Sequence, residues 1–370
     1  MTFSKETKHE SADSKHAGTE FQSFALAAQL LQNVAELGYT QATPVQAQVI
    51  PAALAGGDLL VSSQTGSGKT AAFLLPLINQ LIADNPSNSP APGRAQPKVL
   101  VLCPTRELAQ QVAADAVNLV RGLKGIRIAT VMGGMPYGKQ IQAIKGASLV
   151  VATPGRLLDL CDSKAIRLDD VKQLVIDEAD RMLDMGFADD LEAIDKRCAG
   201  RTQTLMFSAT FAPKIMSLAN ELTSNAKRIE LAHAGEKHAN IEQKLHWADS
   251  VSHKHKLLEH ILADATLDQA VIFASTQVES EKIADTLRAN GYEATALHGA
   301  MPQAVRMRRL ESLRKGHTKI LVATDVAARG IDIPDVDWIL QCVSFPIFIC
   351  SQLLVNASKS WTTNNKQTTK

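Results

Sequence analysis

Residues 58–70 read Asp58-Leu59-Leu60-Val61-Ser62-Ser63-Gln64-Thr65-Gly66-Ser67-Gly68-Lys69-Thr70. An apolar run at 58–62 ends in a Gly-rich turn, and a helical pattern follows at 71–82. Apolar residues at nearly every position mark a strand buried on both faces. Glycines in the turn let backbone N–H groups approach phosphate oxygens at a helix N-terminus, where the helix dipole also favours an anion. In that setting Thr65, Gly66, Ser67 and Gly68 would wrap the phosphates, Lys69 would reach the terminal ones, and the Thr70 hydroxyl would bind Mg²⁺. The strict phosphate-loop pattern has Gly where Ser63 stands, so the general pattern is met except there. An ordinary Gly-rich turn is the plain alternative, and the strand before it and helix after it argue against that.

The same alternation continues outward. Apolar runs at 99–103, 126–132, 148–152, 173–176 and 204–207 are followed, in the second half, by runs at 270–274, 294–297, 319–323 and 338–343. Helical patterns between them include 107–121 and 280–290. Strand alternating with helix predicts doubly wound α/β layers with parallel sheets, and the pattern runs twice. A Pro-, Asn- and Ser-rich stretch at 84–97 reads as a surface loop, and the polar, aperiodic 231–240 as an interdomain linker.

Composition bounds the function. The chain has 370 residues, 45% of them hydrophobic and 21% charged, which is globular and long enough for two domains. Lys and Arg number 39 against 38 Asp and Glu, so a generally basic nucleic-acid coat is excluded, whereas a local basic groove is not. Aromatics at 4% argue against a protein that grips bases mainly by stacking. Five scattered cysteines form no CxxC pair, which predicts no metal cluster and a reducing, cytoplasmic setting. Residues 1–20 are polar and read as a disordered arm rather than a secretory signal. Residues 338–355 are apolar, but Gln341, Ser344, Pro346, Ser351 and Gln352 interrupt them, and no membrane span is expected.

A second chemical signal is Leu174-Val175-Ile176 running into Asp177-Glu178-Ala179-Asp180. A carboxylate at a strand end beside a phosphate loop can hold Mg²⁺, and its neighbour can orient the attacking water. Asp177 is assigned to the metal and Glu178 to the water. Taken alone, the tetrapeptide would be an acidic helix start.

With these residues in view the sequence resembles a DEAD-box RNA helicase of superfamily 2, a family of two tandem RecA-like domains. The resemblance runs from Phe21 to Asp332. Phe21, Gly38-Tyr39 and Thr43-Pro44-Val45-Gln46 resemble the adenine-reading motif, in which the Gln bonds the base edge and the Phe stacks on the ring. The family commonly has Ala at the Ser63 position. Pro104-Thr105-Arg106-Glu107-Leu108-Ala109, Gly133-Gly134 and Thr153-Pro154-Gly155-Arg156 resemble its strand-binding motifs, implying RNA contacts from Arg106, Gly133, Gly134, Thr153 and Arg156. Ser208-Ala209-Thr210 resembles the motif coupling ATP turnover to strand separation. His298-Gly299 with Gln303 and Arg306 resembles a further RNA segment. In residues 323–332, Asp325 would meet the ATP ribose and Thr324 an RNA phosphate. Each small motif has a bland reading: a turn, a helix cap or a solvated charge. Their common placement after strands favours the functional one, because ligands of open parallel sheets lie outside the strands' carboxyl ends.

The resemblance fades after about residue 339. Residues 345–370 contain no Arg and no His, so the arginine-rich segment that completes the family's ATP site has no equivalent there. The expected organisation is therefore a polar arm 1–20, an ATP-binding RecA-like domain 21–230, a linker 231–240, an incomplete C-terminal RecA-like domain 241–344 and an aberrant tail 345–370. The expected function is Mg-ATP-dependent unwinding of RNA duplexes or RNP remodelling. The alternative is a truncated, catalytically weak binder of ATP and RNA. A DNA motor or a protein translocase is disfavoured by the adenine motif and Asp177-Glu178-Ala179-Asp180. Expected partners are RNA, as single strands and short duplexes, and ribosomal or mRNA-decay complexes.

Overall fold

The structure is a computed structural model that describes residues 19–62, 66–84, 95–230, 241–263, 268–324, 336, 338–341 and 347–353. Residues 1–18 of the expected arm 1–20, the linker, Thr65, Asp325 and most of the segment after it lie outside the described residues. The chain divides into two compact units, the first made of residues 1–104, 109–131 and 140–231 and the second of residues 232–370 together with the short segments 105–108 and 132–139.

The first unit opens with a 3-10 turn, Phe21–Ser23, then α1 (Ala28–Glu36), α2 (Pro44–Leu54), β1 (Leu59–Ser62) and α3 (Lys69–Asp84). It continues through β2 (Val99–Leu102), α4 (Arg106–Leu119), β3 (Ile128–Val131), α5 (Tyr137–Ile144), β4 (Leu149–Ala152) and α6 (Pro154–Asp162). It closes with β5 (Gln173–Ile176), α7 (Ala179–Asp184), α8 (Ala188–Arg197), β6 (Gln203–Ser208), α9 (Pro213–Leu222) and β7 (Lys227–Glu230). Seven parallel strands lie in the order β3-β4-β2-β5-β6-β1-β7. Strands β1, β2, β4, β5 and β6 are buried along their whole length, in keeping with their predominantly apolar sequences. The core on one sheet face gathers Leu100, Leu102, Val150, Leu174, Ile176 and Met206 with Leu157, Leu160 and Met182 from the helices. Helix α3 is buried over most of its length, and its Phe73 ring meets Phe207 at 5.3 Å.

Gln203 and Asp58, polar side chains inside this layer, are held by hydrogen bonds. Gln203 donates to Ala53 O at 3.0 Å and Gly57 O at 2.9 Å, and accepts from Gln173 at 3.2 Å. Asp58 accepts from Thr204 N and Ser224 N, both at 2.6 Å, and so sets the register of β1 against β6. Strand β7 has no expectation behind it. It is a polar edge strand exposing Lys227, Arg228 and Glu230, and charges on an edge hide the apolar signal while blocking pairing with other chains.

The second unit contains β8 (Ile241–Trp247), α10 (Val251–Leu262), β9 (Ala270–Ala274), α11 (Gln277–Ala289), β10 (Ala294–Leu297), α12 (Gln303–Arg314), β11 (Ile320–Thr324), β12 (Trp338–Gln341) and β13 (Ile347–Leu353). Its strand order is β10-β11-β9-β12-β13-β8. The first four are parallel; β13 runs antiparallel to both of its neighbours. The segment read as an aberrant tail thus contributes a strand at Ile347–Leu353, with β8 beyond it. Ile347-Phe348-Ile349 has the β-branched and aromatic character that fits a pleated sheet, whatever follows it in the chain. Among the described residues, no helix is long and apolar enough to cross a membrane.

Candidate functional site: the carboxyl edge of the first sheet

Strand order places the site before any side chain is considered. β5, β6 and β1 are neighbours, so the segments that leave them stand side by side: Asp177-Glu178 after β5, Ser208 through Thr210 at the end of β6, and Gly66 through Lys69 after β1. The chain passes from β1 to β2 across β6 and β5, and such a reversal opens a crevice at the strand ends.

Lys69, first residue of α3, puts its Nζ 3.2 Å from Asp177 Oδ1 and 3.3 Å from Glu178 Oε1. Asp177 is fully buried, and Lys69 is 8% exposed. Burial pushes the Asp177 carboxyl up, against the pull of the Lys69 ammonium. Burial alone would push the Lys69 ammonium down, but two adjacent carboxylates hold it above its ordinary value. Cys103, at the end of β2, is buried beside the same pair and its thiol is pushed far up, first by desolvation and then by the two carboxylates. Glu178 sits at φ +55°, left-handed for a residue with a Cβ, at the strand-to-helix corner. Such backbone costs about 1–2 kcal/mol and concentrates at functional sites. Its second oxygen accepts from Arg181 Nη1 at 2.9 Å.

The donor set fits a hard divalent cation. Neither carboxylate oxygen of Asp177 has a hydrogen-bond partner of normal geometry, and the ion pair with Lys69 is its compensation. Among the described residues there is no group of three His, Cys, Asp or Glu that could hold a metal. A buried carboxylate with oxygens such as those of Asp177 suits Mg²⁺, which takes one or two carboxylates and completes its shell with water and phosphate.

The Thr43-Pro44-Val45-Gln46 segment has a structural task as well. Thr43 Oγ1 accepts from Gln46 N at 3.4 Å and Gln46 Oε1 accepts from Thr43 N at 2.9 Å, a capping box that starts α2. Gln46 Nε2 then donates to Gly68 O at 3.0 Å, tying this segment to the Gly-rich turn. One amide hydrogen and one lone pair remain for a ligand. Gly68 has φ +88°, and a Cβ there would lie 2.5 Å from Gln46 Nε2, so glycine is required twice over. Phe21 is 4% exposed and stacked on Tyr39 with ring centroids 6.1 Å apart, leaving Tyr39 as the more exposed ring of the pair.

The other half of the edge carries the residues expected to touch RNA. β3, β4 and β2 are adjacent, and Gly133-Gly134, Thr153 and Arg106 follow them in that order. The Arg106 guanidinium lies over both glycines: a Cβ on Gly133 would come 3.0 Å from Nη2, and one on Gly134, at φ +76°, would collide with Nη1. Thr153 is buried, donates its N–H to Val131 O at 2.9 Å and precedes Pro154 at the start of α6. Arg156 sits in the first turn of α6, 3.5 Å from Asp159. Ser208 Oγ donates to Thr210 O at 2.6 Å in a tight turn; it does not cap α9, which begins at Pro213 with Ala212 as its N-cap. In the second unit Arg306 donates to His298 O at 3.1 Å, and Thr324 ends β11, buried. Arg181 is the residue the sequence reading missed. Its spacing of three from Glu178 on a helix start was the available signal.

Comparison with known proteins agrees with this geometry. Residues 43–218 match the DEAD/DEAH box helicase family model, and residues 253–346 match the helicase conserved C-terminal domain model. The ATP-dependent RNA helicase RhlB of Pseudomonas aeruginosa (strain UCBPP-PA14) is 39% identical over 327 residues, covering 87% of this chain and 81% of that protein. The ATP-dependent RNA helicase DbpA of Escherichia coli (strain K12) is 40% identical over 312 residues, covering 84% of this chain and 66% of its own length. Among solved structures, S. cerevisiae Dbp5 bound to RNA and ADP BeF3 is 30% identical with a TM-score of 0.76, covering 87% of this chain and 80% of that one. Matches over residues 43–218 and 253–346, with relatives about 39% identical over most of both chains, lead to one conclusion: this chain belongs to the DEAD-box family of superfamily 2 helicases, built from tandem RecA-like domains.

Proposed function

We propose that this chain is an ATP-dependent RNA helicase that couples Mg-ATP binding and hydrolysis to local unwinding of RNA duplexes or RNP remodelling. The observation that carries the reading is the buried Lys69–Asp177–Glu178 cluster on the same sheet edge as Arg106 over Gly133-Gly134. The names of the relatives and the RNA and ADP BeF3 in the Dbp5 structure point the same way.

In this reading Gly66, Ser67, Gly68 and Thr65 hold the phosphates, and Lys69 bonds the terminal ones. Asp177 and Thr70 hold Mg²⁺, which when bound neutralises charge on the phosphate oxygens. Glu178, held by Arg181 on one oxygen, orients the attacking water with the other. Gln46 and Phe21 serve the adenine, and Asp325 the ribose. Ser208 and Thr210 link turnover to strand separation. Arg106, Gly133, Gly134, Thr153, Arg156, Arg306 and Thr324 hold RNA through its backbone, which positions a strand without reading it. We place the nucleotide site in 21–230, further RNA contacts in 241–344, and the protein in the cytoplasm on ribosomal or mRNA-decay RNA.

The test is strand separation on short RNA and DNA duplexes with Mg-ATP, beside nucleotide binding. RNA unwinding that is lost in Lys69→Ala is expected. Unwinding of DNA alone would overturn the assignment. RNA affinity should fall steeply between low and moderate salt, and an unchanged affinity would argue against phosphate contacts. A second reading is a protein that holds ATP and RNA with weak turnover. Binding of both ligands without strand separation in a single turnover would select this second reading.

A further inference from the structure

Asn79 lies on α3, ten residues after Lys69 and therefore about 15 Å along the same helix. It is half-buried, and its carboxamide is used at both ends on a segment far away in sequence. Asn79 Oδ1 accepts from Ala27 N at 2.7 Å, and Asn79 Nδ2 donates to Ala25 O at 3.4 Å. The side chain thus grips the two backbone groups of residues 25 and 27 as a neighbouring strand would. Ala27 is the N-cap of α1 and has no capping side chain of its own. Asn79 satisfies that N–H from outside.

The gripped segment is one end of a short arm. At its other end Ala42 N donates to Thr19 O at 2.8 Å, and Glu20 pairs with Gln41. Between these two ties lie Phe21, stacked on Tyr39, and Phe24, edge-on to Phe21 at 5.9 Å. Leu26 and Phe24 are buried and prevent the arm from lifting, but apolar burial does not fix its position along the surface. Directional hydrogen bonds do, and those to α3 come from Asn79.

We propose that Asn79 is a positioning residue for base selectivity: by holding residues 25–27 to the helix that begins with Lys69, it sets the distance between the phosphate end of the site and the Phe21 arm. The proposal rests on the reading above, in which that arm serves the adenine. It adds a residue that touches no ligand. Replacing Asn79 by Ala leaves a good helix former on α3 and removes both bonds, so α3 itself persists.

Binding of Mg-ATP and of Mg-GTP to the full chain, by titration calorimetry, provides the test, with thermal midpoints recorded alongside. The wild type is expected to prefer ATP. Asn79→Ala should weaken ATP about five- to tenfold, the worth of one or two hydrogen bonds, and leave GTP within about twofold. Asn79→Asp keeps the acceptor for Ala27 and loses the donor to Ala25, so an intermediate loss is expected, and it serves if the Ala variant folds poorly. Equal weakening of ATP and GTP, or no change in either, would overturn the role of Asn79 while leaving the adenine reading intact. A wild type that binds both nucleotides equally would overturn both.

Discussion

Lys69 has two electrostatic roles that a substitution separates. It is the ammonium next to the phosphate turn, and it is the cation that compensates fully buried Asp177. In Lys69→Met, nucleotide affinity should drop about 10- to 100-fold, the worth of a charged hydrogen bond. Stability should also drop by about 3–5 kcal/mol at neutral pH, because a buried carboxylate loses its partner. The sign with pH follows from Asp177, whose carboxyl is already pushed up by burial. A raised group favours the folded state when protonated, so the variant's deficit should shrink as pH falls from 8 towards 5 and grow as it rises. Denaturant melts of both proteins across that range would check this, and a deficit independent of pH would contradict it. Gly134 is the second single-residue case. Gly134→Ala meets both a left-handed backbone and the Arg106 guanidinium, so RNA affinity should fall while ATP affinity holds. Paired titrations with single-stranded RNA and Mg-ATP would show the split.

At the scale of elements, α2 and α3 are joined at their N-terminal ends by Gln46, which closes a capping box and bonds the Gly-rich turn. Thr43→Ala removes one half of the box and should cost about 1 kcal/mol in a urea melt. It should also loosen Gln46 and weaken ATP binding, whereas a cap with no link to the site would change only the melt. The Thr43-Pro44-Val45-Gln46 segment therefore illustrates how a motif read for ligand chemistry can also be a helix start, with both roles carried by the same atoms. Legibility at this scale followed burial. Strands Gln173–Ile176, Ala270–Ala274 and Ala294–Leu297 coincide with the runs read from the sequence, since strands covered on both faces are predominantly apolar. Strand β7 was hidden because three of its four residues face solvent, and β13 because it lies in a segment dominated by polar residues further on.

At the scale of the whole molecule, the first unit's cysteines make an alkaline prediction. Burial pushes Cys161 up to about 11 and Cys198 up to about 12. Both stay neutral in the fold while the unfolded chain ionises nearer 9. Stability should therefore fall as pH rises from about 9 through 11, and Cys198→Ala should flatten that slope. Thermal midpoints between pH 8 and 10.5 would test it. The amino-acid order by itself determined the alternation of buried strands with helices, the phosphate turn ending in Lys69, and the acidic pair at the end of β5, because periodicity and residue chemistry are local properties. Tertiary structure alone decided which strand ends stand together. The order β3-β4-β2-β5-β6-β1-β7 brings Lys69 to Asp177 across 108 residues and lays Arg106 on Gly133-Gly134. It also decided that Arg181 holds Glu178 and that Asn79 holds the arm at residues 25–27. Those pairings depend on how the sheet is wound and which side chains meet across it, and no local pattern encodes a contact between distant segments.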